Sequence, residues 1–362
     1  MLPLLLLSLA AAPAPTAPAS PAPAAGARAA AKVEARPAFA RGDEARVRAE
    51  LAGLAPAALA VHTLAANDVA PLAVGVWPAQ PYQGALLVVD VAAPAEITSA
   101  TGTFLGRKLI WHRLDDRTWR GMGPVADDAK TGAATLRVEV RTAQGRFTRE
   151  AKLEVLPLAF DTDELRVDSK FTRLSAAAQK QVAADRAAMA AMWKKGSTAA
   201  PPRARFLLPR EDRTTAPYGT RRTYNGVTKS VHQGWDIDGE VGEEIRAPAA
   251  GIVTMVRDQY YSGGTLFVDH GGGLYTGYFH MDSFAVQEGD RVEAGRLLGT
   301  VGKSGRVTGP HLHWAAKIGG RYIHPASLLL FDFATPMVRP PGEAVAAPGT
   351  EGPEVVPAKA TR

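Results

Sequence analysis

The chain predicts a mainly β protein with an immunoglobulin-like β-sandwich toward the N-terminus, a connecting helix and a small antiparallel β domain toward the C-terminus. Three observations carry this expectation. Short apolar–polar alternations recur from about 70 to 157, the period lengthens to a helical one over 163–196, and from 203 to 331 short apolar runs are separated by glycine-rich turns. With 362 residues the chain is too long for one ordinary domain, and 46% of them are apolar, enough for two cores.

The first residues, MLPLLLLSLAAA, form a short apolar run that ends in small side chains. Such a run reads as a secretory signal within 1–20, although no Lys or Arg precedes it. It is too short to span a membrane, which takes about 20 apolar residues, and no transmembrane segment is expected. Residues 21–60 read as an Ala/Pro-rich linker, because that composition buries too little apolar surface to fold. Only a weak helical pattern appears over 43–60.

Over 70–157, Leu136, Val138 and Val140 alternate with Arg137, Glu139 and Arg141. Phe147, Ala151, Leu153 and Val155 alternate with Thr148, Glu150, Lys152 and Glu154, and Gln144-Gly145 between the two runs marks a hairpin. Further strands are expected at 84–91, 97–105 and 107–113, a spacing that suggests an immunoglobulin-like sandwich. His62 and His112 stand alone in this region and read as ordinary structural or surface histidines. Leu174, Ala178, Val182, Met189 and Trp193 then fall near helical spacing, with Gly196 placed to stop a connecting helix within 163–197. In the domain expected at 203–331, the runs Ile252–Val256, Leu266–Val268 and Leu297–Val301 lie between turns at Gly263-Gly264, Gly271–Gly273, Gly302 and Gly305. Residues 336–362 are rich in Pro, Ala and Gly and read as a disordered tail.

Composition removes several functions. The absence of Cys excludes disulfides, thiolate metal sites, a Cys nucleophile and lipid attachment to an N-terminal Cys. The formal charge is +6, but 201–335 carries 15 Lys and Arg against 14 Asp and Glu, so basic charge is not focused on the C-terminal domain and no nucleic-acid partner is expected.

Six of the eight histidines fall between 232 and 324. His311 and His313 are two apart, so on a strand both imidazoles point to one face. His232 and Asp236 are four apart and share a face on an extended segment, with Gly234 leaving room between them. His280 follows Tyr278-Phe279. A catalytic zinc takes imidazole nitrogen and carboxylate oxygen from three protein ligands and leaves the fourth position to water. Five candidates for three positions leave two imidazoles for proton transfer and charge stabilisation.

The run His232-Gln233-Gly234-Trp235-Asp236 resembles the His-x-Gly-x-Asp signature of LytM/lysostaphin-type zinc endopeptidases. Similar to that family are also Ile245–Val253, Val268–Gly271, Tyr278–His280, Val286–Leu298 and Thr308–His313, and the resemblance covers about 205–330. Upstream, the segment Tyr218–Gly226 and, more loosely, the β region before it resemble exported members. The resemblance implies that His232, Asp236 and His313 hold one zinc ion per chain, that His311 is the general base for the zinc-bound water, and that His280 is a second catalytic histidine that steadies the transition state. Tyr224 is the nearest candidate for an assisting tyrosine, at a different spacing from the family's. Trp314-Ala315-Ala316 stands where the family often has a carboxylate, and His270 and His324 match no catalytic position, reading as supporting or surface residues.

The implied activity is hydrolysis of peptide bonds of bacterial peptidoglycan, in the cross-link or the stem, by an exported protein of the periplasm or cell envelope. The N-terminal β domain would then be available to an envelope protein partner. A non-catalytic wall-binding regulator that activates another peptidoglycan hydrolase is the alternative, and an endopeptidase acting on protein is a third. All five site positions are filled, which favours an enzyme over the regulator.

Overall fold

Residues 51, 54–66, 71–197, 199–226 and 228–342 are described in a computed structural model. The signal segment expected at 1–20, most of the linker expected before 60 and the tail beyond 342 lie outside them. The described chain is mainly β, as the alternation predicts.

One N-terminal sheet is built from β1 (His62–Leu64), β2 (Ala73–Trp77), β3 (Leu86–Ala92), β6 (Ile110–Arg113) and β7 (Thr118–Pro124), in the order β1-β2-β3-β7-β6. A second holds β4 (Ile97–Phe104), β5 (Arg107–Lys108), β8 (Gly132–Thr142) and β9 (Gly145–Val155), in the order β5-β4-β8-β9. The β8–β9 hairpin pairs Leu136 with Ala151 and Val140 with Phe147. Leu136, Val138 and Val140 are buried while Arg137 and Arg141 are exposed, which is the period-two pattern of a strand with one wet face.

Some boundaries differ from expectation. The linker reading fails over 54–60, where Pro56–Leu59 form a 3-10 turn with Ala58 buried, and Trp77 Nε1 donates to Leu59 O at 2.8 Å. The helix expected from 163 starts later. Residues 162–165 instead form β10 (Thr162–Leu165), parallel to β12 (Arg221–Tyr224), because that strand supplies backbone partners the local pattern does not reveal. Helix α1 (Ala176–Lys195) is capped by Ser175, whose Oγ accepts from Ala178 N, and ends at Gly196, whose φ of 73° suits glycine.

The C-terminal region centres on an eight-stranded sheet. Its path is β11 (Thr214–Ala216), β14 (Trp235–Asp238), β22 (His311–Ile318), β18 (Leu274–Met281), β17 (Gly263–Asp269), β16 (Gly251–Gln259) and β20 (Arg291–Val292), with β23 (Arg321–Ile323) on β22. Small sheets of β10-β12-β13 (Thr228–Val231) and β15 (Glu244–Arg246)-β21 (Leu297–Thr300)-β19 (Ser283–Phe284) flank it, and the short α2 (Ala326–Leu330) follows. Gly271–Gly273, all at positive φ, make the turn between β17 and β18.

The central strands β17 and β18 are buried along their whole length because both faces of the sheet are covered. Leu266, Val268, Tyr278 and Trp314 belong to the main core, whereas Phe267, Phe279 and Ala315 pack with Met192 of α1, and Met189 and Trp193 lie against them. The helix is thus a layer of this region and not only a connector. Each fully buried aliphatic or aromatic side chain of this kind contributes about 1.5–3 kcal/mol.

Buried residues of the N- and C-terminal regions form one continuous core. Tyr82 Oη and Ser327 Oγ are 2.8 Å apart, and His324 N donates to Gly84 O at 2.7 Å. Arg120 donates to both oxygens of buried Asp90, at 2.7 and 2.9 Å, and to the carbonyls of Phe333 and Thr335. The tail reading therefore fails over 336–342. Met337 N donates to Asp90 Oδ2, 247 residues away, at 2.8 Å, and Val338 packs with Ala73 and Ala92, so this Pro-rich stretch is held by sequence-distant partners that composition does not reveal.

Candidate metal centre

Strand register builds the centre. On β14 and β22, Asp236 faces His313 and Asp238 faces His311. Because directly opposite residues project to the same face, the carboxylate of Asp236 and the imidazole of His313 meet over the sheet. His313 lies on the same face as Ala315 and Phe279, the face that α1 covers.

His232 reaches them differently from the extended-segment reading. It sits in the turn between β13 and β14, not on a continuous strand with Asp236. The turn is fixed by His232 N donating to Thr220 O and Gly219 N donating to His232 O, at 2.9 and 2.8 Å. Gly234 does leave room, since a Cβ there would lie 2.4 Å from His313 Nε2.

His232 Nε2, His313 Nδ1 and Asp236 Oδ1 lie 2.8–2.9 Å from one another. Among the described residues they are the one group of three or more His, Cys, Asp or Glu placed to hold a metal ion. The chemistry of these donors fits a cation. His232 Nδ1 can only donate to Pro217 O, 2.7 Å away, so Nε2 of the neutral ring offers its lone pair inward. Donors crowded this closely repel one another unless protons on the imidazoles or a metal cation sit among them. Arg222 Nη2 donates to Asp236 Oδ2 at 2.8 Å and leaves Oδ1 to the imidazoles. Burial raises the Asp236 carboxyl, but the charge and hydrogen bonds of His232 and His313 outweigh it and hold it well below the usual carboxylate range. Burial pushes His313 down to about 4.

The two remaining imidazoles stand beside this triangle. His311 Nδ1 donates to Gly309 O at 2.9 Å, and its Nε2 is 3.6 Å from Asp236 Oδ1. His280 has a φ of 64°, in the left-handed region that side chains rarely occupy. Regular alternation after Phe279 would send it to the other face, and the left-handed backbone redirects it. Its ring centroid lies 5.0 Å from that of His311 and 6.0 Å from that of His313. His280 Nδ1 donates to Ser304 O at 2.9 Å, and its backbone N donates to Ser262 O at 2.8 Å. Burial lowers its pKa to about 3.

A cavity of about 350 Å³ opens on this cluster, with Tyr224, His232, His280 and His313 in its wall. Tyr224 lies under the guanidinium of Arg306, which is 3.9 Å from the ring centroid. Sequence reading missed Arg222, Tyr261, Ser304 and Arg306, which lie in or against this wall. Only Arg222 carried a signal, from its place in the segment that leads into His232. His270 and His324 lie elsewhere and are not surface residues. His270 bonds Ala250 O and Thr276 Oγ1 inside the core, and His324 Nδ1 accepts from Ala326 N at the start of α2.

A largely buried His–Asp–His donor set, two of its members on adjacent antiparallel strands and flanked by two further imidazoles, makes the chain a candidate metal-dependent hydrolase. Residues 230–325 match Peptidase family M23, so this segment carries a Peptidase M23 domain. Over 118 residues it is 36% identical to the DD-carboxypeptidase/endopeptidase Mpg of Neisseria meningitidis serogroup B, covering 33% of this chain and 27% of that protein. Over 122 residues it is 33% identical to the peptidoglycan DD-endopeptidase ShyA of Vibrio cholerae, covering 33% of this chain and 28% of that one. The chain therefore matches little more than a quarter of the length of these relatives. A Pseudomonas aeruginosa crystal structure assigned to peptidase M23 is similar over 69% of this chain and 95% of its own, at a TM-score of 0.52 and 26% identity. That likeness extends well beyond residues 230–325. No helix among the described residues is long and apolar enough to cross a membrane.

Proposed function

We propose that this chain is a zinc-dependent endopeptidase that hydrolyses peptide bonds of bacterial peptidoglycan outside the cytoplasm. The observation that carries the reading is the convergence of His232 Nε2, Asp236 Oδ1 and His313 Nδ1 within 2.9 Å, with His311 and His280 alongside. The names of the relatives Mpg and ShyA support the substrate class, and export follows from where such a substrate lies.

The donor set suits zinc, which binds imidazole and carboxylate with three protein ligands in catalytic sites. When bound there, zinc lowers the pKa of a coordinated water to near 7 and polarises a carbonyl. His232, Asp236 and His313 would hold the ion, with Pro217 O and Arg222 fixing the orientation of two of them. His311 takes the proton of the attacking water through Nε2, the ring atom left open by its bond to Gly309 O, and returns one to the leaving amine. His280 would steady the negative oxygen that develops on the scissile carbonyl through Nε2 once that atom carries a proton, since Nδ1 is committed to Ser304 O. Tyr224, in the cavity wall, assists in positioning the substrate.

The sheet orders β1-β2-β3-β7-β6 and β5-β4-β8-β9 support an immunoglobulin-like reading of the N-terminal region, which would offer its outer faces to an envelope partner. The test is digestion of purified peptidoglycan by the full chain, with chelator and with zinc restored, and mass spectrometry of the released fragments. Chelator-sensitive release of peptides supports the proposal. A zinc-loaded protein that releases nothing overturns it in favour of a non-catalytic wall-binding regulator.

A further inference from the structure

We propose that Arg306 determines specificity by binding a free carboxylate of the substrate peptide beside the bond that is cut. The inference rests on the hydrolytic reading of this cavity. Arg306 shares the cavity wall with His232, His280 and His313. Its guanidinium carbon lies 3.9 Å from the ring centroid of Tyr224 and 4.9 Å from that of Tyr261. Among the described residues it has these two ring contacts but no ion pair and no side-chain hydrogen bond.

Its neighbours behave otherwise. Arg222 is paired with Asp236, Arg221 with Asp127 and Arg257 with Asp185. Among the described residues no Asp or Glu lines the cavity, whereas two arginines do. Arg306 is only half-exposed, so the protein leaves a partly desolvated cation facing the cavity without a counter-charge. Ring faces orient a guanidinium plane and leave its N–H edge open, and that edge matches a carboxylate in two parallel hydrogen bonds.

The position of this charge is fixed relative to the metal centre. Arg306 N donates to Tyr261 O at 2.7 Å. Two residues earlier, Ser304 Oγ accepts from Gly264 N at 2.8 Å and donates to Met281 O at 2.9 Å, while Ser304 O takes the Nδ1 proton of His280. One short loop therefore both orients His280 and carries Arg306. A peptide whose carboxylate reached Arg306 would be held in register with His280, and one with that group blocked as an amide would lose the anchor.

The test is calorimetric binding of two peptides to the zinc-loaded full chain. The scissile amide is replaced by a methyleneamine in both, and they differ only in a free or amidated C-terminal carboxylate. Wild type is expected to bind the free acid at least 10-fold tighter, R306Q to bring the two within 2-fold, and R306K to retain part of the preference. Zinc content and thermal midpoint are measured in each variant. Equal binding of both peptides by wild type, binding of neither, or a preference untouched in folded R306Q overturns the inference. Peptidoglycan digestion run in parallel separates the two proposals, since a carboxylate preference without hydrolysis rejects the activity and keeps the anion site.

Discussion

Asp236 and His313 occupy directly paired positions on neighbouring antiparallel strands, and Asp236 Oδ1 lies 2.8 Å from His313 Nδ1. The pairing couples the metal site to the sheet ladder, because a slip of one residue would turn one of the two to the opposite face. The same ladder holds Trp235 against Trp314 in the core, at a centroid distance of 6.2 Å, so burial of the two indoles enforces the register on which the site depends.

His313 and His280 are expected to separate metal binding from catalysis. His313→Ala removes one of the three proposed ligands and should abolish metal binding. His280→Ala should keep the metal and lose on the order of 100- to 1,000-fold in rate, as for removal of one donor to a developing oxyanion. Metal analysis of both variants decides this, and loss of metal in the His280 variant contradicts the assigned roles.

Gly234→Ala should weaken the metal site without removing any ligand. The added Cβ would lie 2.4 Å from His313 Nε2 and 2.8 Å from Trp314 O, so β22 or the His313 ring must move. A chelator competition titration is expected to show lower affinity. Unchanged affinity would mean that the two strands can spread freely.

Arg222→Leu removes the donor that holds the outer oxygen of Asp236. Loss of such an outer partner typically costs about 10- to 100-fold in metal affinity. The same titration measures it, and an effect below twofold would show that Arg222 is dispensable for orienting the carboxylate.

Stability should fall as pH drops below about 6.5, the ordinary value for histidine. Burial lowers His270 to about 4 and His324 to about 3, so both are neutral in the folded protein where they would be charged in the unfolded chain. Their stabilising contribution is complete above the unfolded value and is lost as pH falls toward the folded ones. Thermal melts of metal-free protein between pH 7 and pH 4.5 should show this, and His270→Gln should flatten the dependence by up to about 1.4 kcal/mol per pH unit. An unaltered slope in that variant would place the proton uptake elsewhere.

Arg120→Met leaves the Asp90 carboxylate buried without its cation and should destabilise the fold by about 3–5 kcal/mol. The combined Asp90→Leu and Arg120→Met variant is expected to recover part of that loss. Chemical denaturation of the two variants compares them, and equal losses would show that the pair is needed for the carbonyl bonds to residues 333 and 335 rather than for charge balance.

Much of this protein is local and so could be read from its residues in order. The hairpin at 136–155 follows from strict alternation about Gln144-Gly145, the end of α1 from Gly196, and the need for space at 234 from a glycine between His232 and Asp236. The candidates His232, Asp236, His280, His311 and His313 stand out equally in the sequence, since few residue types supply such donors. What stayed hidden depends on distant partners. The register of Asp236 on His313, the redirection of His280 by a left-handed backbone, the pairing of 162–165 with β12 and the capture of 336–342 by Asp90 arise only when separated segments exclude water together. Periodicity and side-chain chemistry belong to the chain itself, whereas convergence is decided by burial and hydrogen bonding across the folded molecule.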